Sequence, residues 1–150
     1  MKETTELSPV EKERIPVAYH EKGHGGVARY IGWGVGLETV VPQGNSLGRT
    51  AAVPNSSKSE EELLLDGIAI AAGGEEAENM CGIEDHSGCG SDRFRQRLLA
   101  KLYISLTGSI RSIGSIISEQ RGRARGILEC IGLGEHKRRS MILVRAGTLA

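Results

Sequence analysis

The stretch from Ala18 to Tyr30, AYHEKGHGGVARY, places two of the chain's four histidines four residues apart. Residues i and i+4 of an α-helix lie on the same face, so the imidazoles of His20 and His24 can reach one metal ion. Glu21 directly follows the first histidine. In this HExxH arrangement, which is typical of zinc metallopeptidases, the histidines hold Zn²⁺ and the glutamate takes a proton from the metal-bound water. The stretch therefore predicts a helix with His20 and His24 as metal ligands and Glu21 as general base.

A catalytic zinc ion also needs a third protein ligand, and this ligand must come from farther along the chain. A metzincin-type extension would place glycine at position 27 and histidine at position 30, but the sequence has Val27 and Tyr30 there. The downstream carboxylates and imidazole near glycine-rich backbone are the candidates. They are Glu75, Glu76, Glu78, Asp85, His86 and Asp92. The residue types alone do not choose among them.

The residues around the histidines predict a long helix followed by a small β unit. Ser8 to Glu11, SPVE, is a capping box with proline at the first helical position, and it opens an amphipathic helix that runs toward Ile31. Pro16 either kinks this helix or restarts it. Leu37–Val41 and Arg49–Pro54 read as two short strands separated by a turn, which gives a hairpin or short sheet.

The rest of the chain reads as helical. Ser59 and Glu62 form a second capping box, and the apolar residues that follow suit a buried helix through Ala72. The glycine-punctuated segment 81–92 reads as a loop. Beyond it, apolar residues recur every four positions at Phe94, Leu98, Leu102 and Leu106. We therefore expect one mainly α-helical domain of 150 residues with a small β-hairpin or short sheet after the HExxH helix.

Composition and charge narrow the partners and the compartment. The chain has 19 basic and 19 acidic residues, so no net charge draws it to nucleic acid or to an anionic membrane. Its cysteines, Cys81, Cys89 and Cys130, contain no CxxC pair and are typical of reduced cytosolic thiols. The charged N-terminus has no apolar core for a signal peptide, and no apolar run approaches about 18 residues. We expect a cytoplasmic protein with no nucleic-acid partner and no membrane segment.

The remaining local patterns give weaker evidence about function. The chain has no GxxxxGK[ST] sequence, so we expect no nucleotide binding. The basic clusters at 121–125 and 136–139 are read as solvated faces or as charges near helix C-termini. A second metal site at His86 and Cys89 is a weak alternative, because the pair has no companion pair.

Four segments together resemble the peptidase domain of the FtsH family of ATP-dependent zinc metalloproteases. They are VAYHEKGHGGVARYIG, VVPQGNSLGRT, AGGEEAENMCG and SGCGSD. They match the family's HExGH, VPRG-x-x-LG-x-T, GG-x-x-AE and TG-x-x-x-D in order, with Gln43 for the arginine and Ser87 for the threonine. The resemblance covers Ser8 to Leu106 well and continues more weakly to position 131, and the tail beyond Gly132 matches poorly.

The resemblance implies the remaining parts of a site. It makes Asp92 the third zinc ligand and Glu78 a residue that supports the metal-binding helix; the alternative for Glu78 is a solvated carboxylate at a helix end. It also implies an endopeptidase that acts on flexible or unfolded polypeptides. A separate ATPase and further copies of the chain are the two candidate partners besides the substrate. From the residues given we expect no ATPase module and no transmembrane anchor. The glycine pair Gly25–Gly26 is expected to loosen the metal-binding helix.

Two further expectations concern substrate and catalysis. The strand that includes Thr39, Val40 and Val41 either receives substrate as an added strand beside the zinc or simply packs in the core. The alternative to a peptidase is a non-catalytic zinc-binding or interaction module built on the same fold. The presence of a glutamate directly after the first histidine favours the peptidase.

Overall fold

The computed structural model describes residues 6–150. Positions 1–5, part of the segment in which the sequence predicts no signal peptide, lie outside the described residues. Residues 6–150 form helices α1 (Pro9–Ile31), α2 (Glu60–Met80), α3 (Gly90–Thr107), α4 (Ile113–Ile131) and α5 (Leu133–Ala146), with strands β1 (Gly34–Thr39), β2 (Arg49–Val53) and β3 (Thr148–Leu149). This confirms the predicted mainly α-helical fold with a short sheet.

The ends of α1 are fixed as the sequence predicts. The backbone N–H of Ser8 donates to Glu11 Oε1 at 2.9 Å, and the N–H of Glu11 donates to Ser8 Oγ at 3.2 Å, so the capping box is complete. Gly32 ends the helix in the left-handed conformation, with φ 97°. The helix runs through Pro16 without restarting, although proline has no N–H to donate to the preceding turn.

The sheet has the strand order β2-β1-β3, and both pairings are antiparallel. The predicted hairpin of β1 and β2 is confirmed, with a register irregularity between Val35 and Glu38. The predicted bounds of β1 are wrong, since the strand begins at Gly34 rather than Leu37 and ends at Thr39. A third strand that the sequence did not predict, β3, pairs with the end of β1.

Helix α2 crosses α1 so closely that only glycine fits at the contact. A Cβ atom at Gly73 would lie 2.7 Å from the carbonyl oxygen of Gly23, and a Cβ atom at Gly23 would collide with the backbone of Gly73. The helix therefore continues through the glycine pair to Met80, beyond the predicted end at Ala72. The pair Gly25–Gly26 is also buried within a continuous α1, and a Cβ atom at Gly25 would collide with the carboxylate of Glu38. These glycines pack α1 rather than loosen it.

The core surrounds α2. One cluster joins α1, α2 and α4 and contains Val27, Ala69, Ala72, Ala124 and Leu128 among others. A second joins α1 and α5 through Ala18, Val40, Leu143 and Val144, and a third joins α2, α3 and α4 through Ile68, Ala100 and Ile116. Of the two helices that carry most of the candidate site, α1 packs in the first and second clusters and α2 in the first and third.

The C-terminal helices confirm the predicted helical half, with three differences. The segment 81–92 is not all loop, because α3 begins at Gly90 and has Asp92 in its first turn. The arginines of the cluster at 121–125 are not merely solvated, since each pairs with a buried carboxylate of α2: Arg121 with Glu75, Arg125 with Glu76 and Arg123 with Asp66. The apolar row of α3 faces solvent instead of the core.

None of the helices formed by residues 6–150 is long and apolar enough to cross a bilayer.

Candidate metal centre

Three predicted ligands meet where α1, α2 and α3 come together. Asp92 Oδ2 lies 2.9 Å from His20 Nε2 and 3.0 Å from His24 Nε2, and the two Nε2 atoms lie 2.9 Å apart. The histidines come from adjacent turns of α1, and Asp92 comes from the first turn of α3. The structure thus brings together His20, His24 and Asp92 and aims one ligand atom of each at a common point.

The outer hydrogen bonds of the two imidazoles decide which ring nitrogen carries the proton. His24 Nδ1 lies 2.6 Å from the carbonyl oxygen of Ile70, which can only accept, so Nδ1 is the donor. His20 Nδ1 lies 2.6 Å from Glu78 Oε1, a carboxylate oxygen, and donates to it. In the neutral rings both Nε2 atoms therefore present lone pairs, and they face each other and the Asp92 oxygen. Three converging lone pairs repel unless a cation lies among them, so the residues present fit a metal ion.

The acidic residues of the site attract positive charge. Burial lowers the pKa of His20, but hydrogen bonds with Asp92, Cys89 and Glu78 outweigh burial and raise that pKa to about 12. The pKa of His24 is also raised, because the hydrogen bond with Asp92 outweighs burial. Burial alone would raise the pKa of Asp92, yet the hydrogen bonds with the two histidines hold it far below its usual range. The negative charge of Asp92 and Glu78 therefore favours positive charge at this centre.

Glu78 is buried, with 5% of its surface exposed, so the alternative of a solvated helix-end carboxylate is wrong. Besides His20, the thiol of Cys89 donates to Glu78 Oε1 at 3.1 Å, and His86 Nδ1 lies 3.3 Å from Glu78 Oε2. His86 and Cys89 thus meet at the same carboxylate instead of forming a site of their own. His20, Glu78 and Cys89 do form a compact second group of potential ligand atoms, but it shares His20 with the first.

Glu21 lies beside the ligand histidines and is held by a strand. Thr50 Oγ1, at the start of β2, donates to Glu21 Oε2 at 2.5 Å and lies 3.0 Å from the backbone oxygen of Glu21. The carboxylate is buried, with 6% of the residue's surface exposed. Its position is therefore set by the sheet as well as by α1.

Gly74 of α2 lies directly behind the two imidazoles. A Cβ atom there would lie 2.6 Å from His20 Cε1 and 2.6 Å from His24 Nε2. No other residue type leaves room for both rings. Each glycine of the pair in α2 is therefore required by a contact with α1: Gly73 by the backbone of Gly23, and Gly74 by the two imidazoles.

A cavity of about 880 Å³ opens over the centre. Its lining includes the three predicted ligands, Glu21 and the chain from Asn45 to Thr50. Both polar and apolar groups line it, with Pro16, Val17, Leu47 and Ile83 as the apolar side chains. The cavity is large enough for several residues of an extended polypeptide.

The segment Thr39, Val40 and Val41, predicted as a substrate strand, lies away from the cavity. Thr39 and Val40 are 2% and 1% exposed, and none of Thr39, Val40 and Val41 lines the cavity. Thr39 pairs with Arg49 on one side and with Thr148 on the other, and the N–H of Val40 donates to the carbonyl oxygen of Gly147 at 2.9 Å. β3 already occupies this edge at Thr39 and Val40, which favours the alternative that this segment packs in the core. In the sheet formed by residues 6–150, the outer strand next to the cavity is β2.

The sequence profile of peptidase family M41 matches residues 7–141. The chain belongs to peptidase family M41. The M41 chain is similar to the ATP-dependent zinc metalloprotease FtsH of Protochlamydia amoebophila (strain UWE25), with 30% identity over 139 residues that make up 90% of this chain and 15% of the relative. FtsH of Cutibacterium acnes (strain SK137) is 30% identical over 108 residues, 69% of this chain and 15% of the relative. FtsH of Magnetococcus marinus (strain ATCC BAA-1437 / JCM 17883 / MC-1) is 34% identical over 110 residues, 71% of this chain and 16% of the relative.

These comparisons confirm the resemblance to the FtsH peptidase domain. The M41 chain spans only 15 to 16% of the length of these relatives. The match to the family extends to position 141, farther than the four quoted segments reach.

Three contributors to the M41 centre were not predicted from sequence as parts of it. Thr50 is the last residue of the segment VVPQGNSLGRT, so the resemblance includes it. Nothing in the local sequence indicates that it contacts Glu21. Gly74 lies in the segment AGGEEAENMCG, where it contributes only to the resemblance to the family. The carbonyl of Ile70 has no sequence signal, because any residue has one.

Proposed function

We propose that this chain is a zinc-dependent endopeptidase that hydrolyses flexible or unfolded polypeptides. The observation that carries the proposal is the convergence of His20 Nε2, His24 Nε2 and Asp92 Oδ2, three atoms that lie 2.9 to 3.0 Å from one another. Two imidazoles and one carboxylate are a typical catalytic zinc ligand set that leaves a further position open. Zinc held there would supply a Lewis acid for the scissile carbonyl.

In this proposal Glu21 moves the proton. It lines the same cavity as the three ligands. There it accepts a proton from the attacking water as the C–O bond forms, and it donates that proton to the leaving amine nitrogen as the C–N bond breaks. The Thr50 hydroxyl holds the carboxylate in place, at 2.5 Å from Oε2. Glu78 keeps the His20 proton on Nδ1 and so keeps Nε2 available.

The shape of the site supports an extended substrate. β2 is an outer strand in the sheet that residues 6–150 form, and its first residues line the cavity. A polypeptide segment added alongside β2 would place one of its peptide bonds over the centre. Only a flexible or unfolded segment can lie extended in this way.

Partners and compartment stay predictions. The relatives are named ATP-dependent, and the 150 residues contain no GxxxxGK[ST] sequence. We propose that an ATPase activity outside this segment, or further copies of the chain, assist with folded substrates. The proposed compartment is the cytoplasm, on the sequence argument alone.

Zinc content and casein cleavage test the function together. Purified protein should contain about one zinc ion per chain, lose it in His24→Ala, and cleave casein only with zinc present. Glu21→Gln should retain zinc and lose cleavage, since the amide cannot accept the proton. Glu13→Gln, an exposed position on the same helix, is the matched control and should retain both.

The outcomes separate the two readings of the sequence. Cleavage that survives Glu21→Gln would contradict the catalytic proposal. Zinc bound with no cleavage of an unfolded substrate would leave the non-catalytic zinc-binding module. Absence of zinc after reconstitution would refute the metal site itself.

A further inference from the structure

An apolar row on α3 has no partner within the described chain. The row consists of Phe94, Leu98, Leu102 and Leu106, named here the α3 ridge, and these residues are 62%, 46%, 48% and 47% exposed. The opposite face of α3 packs in the core through Gln96 and Ala100. Scattered single exposed apolar residues are ordinary, but a continuous row of four large ones marks an interaction surface.

The α3 ridge is flanked by positive charge. At 100° per residue, Arg95 lies on one side of the ridge, and Arg97 and Lys101 lie on the other. All three are exposed, and none has a hydrogen-bond or ion-pair partner among residues 6–150. The only acidic residue of α3 is Asp92, which is held at the metal centre. The surface is therefore apolar along its middle and cationic along both margins.

The pattern of charge selects the occupant. A second copy packed through the same face would bring unpaired cations of both copies together, which is unfavourable. An occupant with apolar side chains between acidic ones would instead satisfy both the ridge and its margins.

The shape of the α3 ridge selects the class of occupant. Each step of four residues turns about 40° around the helix axis, so the row turns by about 120° from Phe94 to Leu106. A flat bilayer surface would meet only part of such a row. A helix that crosses along the i±4 ridge can contact all four side chains, as in the commonest class of helix packing.

We propose that the α3 ridge binds an amphipathic helix of another polypeptide, whose apolar face is bordered by aspartate or glutamate. The partner recognition uses no residue of the metal centre and does not depend on the proposed zinc chemistry. Phe94 lies two residues from Asp92, so the docked helix ends beside the mouth of the cavity.

Binding of synthetic peptides tests the proposal. The probe is a capped helical peptide of about 20 residues, the length that matches α3, with a leucine row bordered by glutamate. Its controls are a peptide with lysine in place of every glutamate and a scrambled peptide of the same composition. Fluorescence anisotropy with the full chain should show saturable binding of the acidic helix alone, weakened by added salt.

Variants on the exposed surface locate the binding. Leu98→Ser/Leu102→Ser should weaken binding of the acidic peptide at least about tenfold. Arg97→Glu/Lys101→Glu should weaken binding of the acidic peptide and create binding of the lysine peptide. Ile142→Ser on α5, where Ile142 is 45% exposed, is the matched control and should bind as the unmodified chain does. Circular dichroism confirms that each variant is folded.

Several results would overturn the proposal. These are absence of saturable binding, equal binding of the scrambled peptide, and unchanged affinity in Leu98→Ser/Leu102→Ser. Binding to vesicles of phosphatidylcholine and phosphatidylserine in place of the acidic peptide would assign the ridge to a membrane. Self-association in sedimentation that Leu98→Ser/Leu102→Ser abolishes would assign it to a second copy.

Discussion

Replacement of Glu78 by glutamine tests how the protein prepares His20 for a metal ion. Glu78 accepts from His20 Nδ1 at 2.6 Å and is buried, so its charge acts on the imidazole with little screening by solvent. The change Glu78→Gln preserves the shape of the side chain and removes the charge. Glutamine can still accept from His20 through its oxygen, and the partly exposed His86 can adapt its tautomer to the new amide.

The expected effect follows from these contacts. His20 and Cys89 keep an acceptor in the glutamine oxygen, so the main effect on the metal site is loss of the carboxylate's contribution to the basicity of His20 Nε2. Loss of such an outer partner lowers metal affinity about 10- to 100-fold. We expect a decrease of about 30-fold in zinc affinity, which corresponds to about 2 kcal/mol.

Competition with a fluorescent zinc chelator measures this affinity on the folded protein. Glu76→Gln is the matched control, because Glu76 is also buried in α2 but pairs with Arg121 and Arg125 instead of a histidine. It should lower the free energy of unfolding by about 1.5–3 kcal/mol and leave zinc affinity unchanged. The reasoning fails if Glu78→Gln binds zinc within about twofold of the unmodified chain, or if Glu76→Gln loses as much affinity.

Three further changes probe other parts of the molecule. Thr50→Val frees the Glu21 carboxylate and should lower kcat for casein about tenfold with zinc content unchanged; a change in zinc content instead would show that Thr50 acts on the metal. Gly74→Ala should expel zinc in chelator competition because its Cβ meets both imidazoles, whereas Gly122→Ala, which meets nothing within 4 Å, should raise the free energy of unfolding by up to about 1 kcal/mol. Burial lowers the pKa of His136, so its contribution to stability is complete above about pH 6.5 and is lost as the pH falls through the lowered value. Urea unfolding at about pH 7.5 and about pH 5.5 should show this loss of unfolding free energy in the unmodified chain and a smaller loss in His136→Asn. An equal loss in both proteins would exclude His136 as its source.

Local patterns in the sequence predicted local structure well. The capping box at Ser8, the i and i+4 spacing of His20 and His24, and the hairpin all depend on residues close in the chain. Asp92 is different, because residue types left six candidates open and only the resemblance selected it. Its approach to the histidines depends on how α3 packs on α2, and its role as a ligand stays a prediction.

The misses share a physical reason, which is contact between distant segments. Whether the end of β1 receives substrate or packs in the core could not be decided from the sequence, because nothing near Thr39 in sequence indicates that Thr148 will pair with it. The apolar row of α3 correctly predicted a helix, but it did not predict which face is buried. The buried face contains Gln96 and Ala100, and the leucines of the row are exposed. Gly74 is explained only by imidazoles that lie on another helix.

The short strand β3 has a practical consequence for producing the protein. Thr148 and Leu149 cover backbone groups of Glu38 and Thr39 that would otherwise lie unpaired. An uncovered strand edge is a template for another chain and a common start of aggregation. Protein shortened by these last residues, or carrying a fusion that pulls them away, should therefore become insoluble on expression while its histidines and carboxylates are all still present.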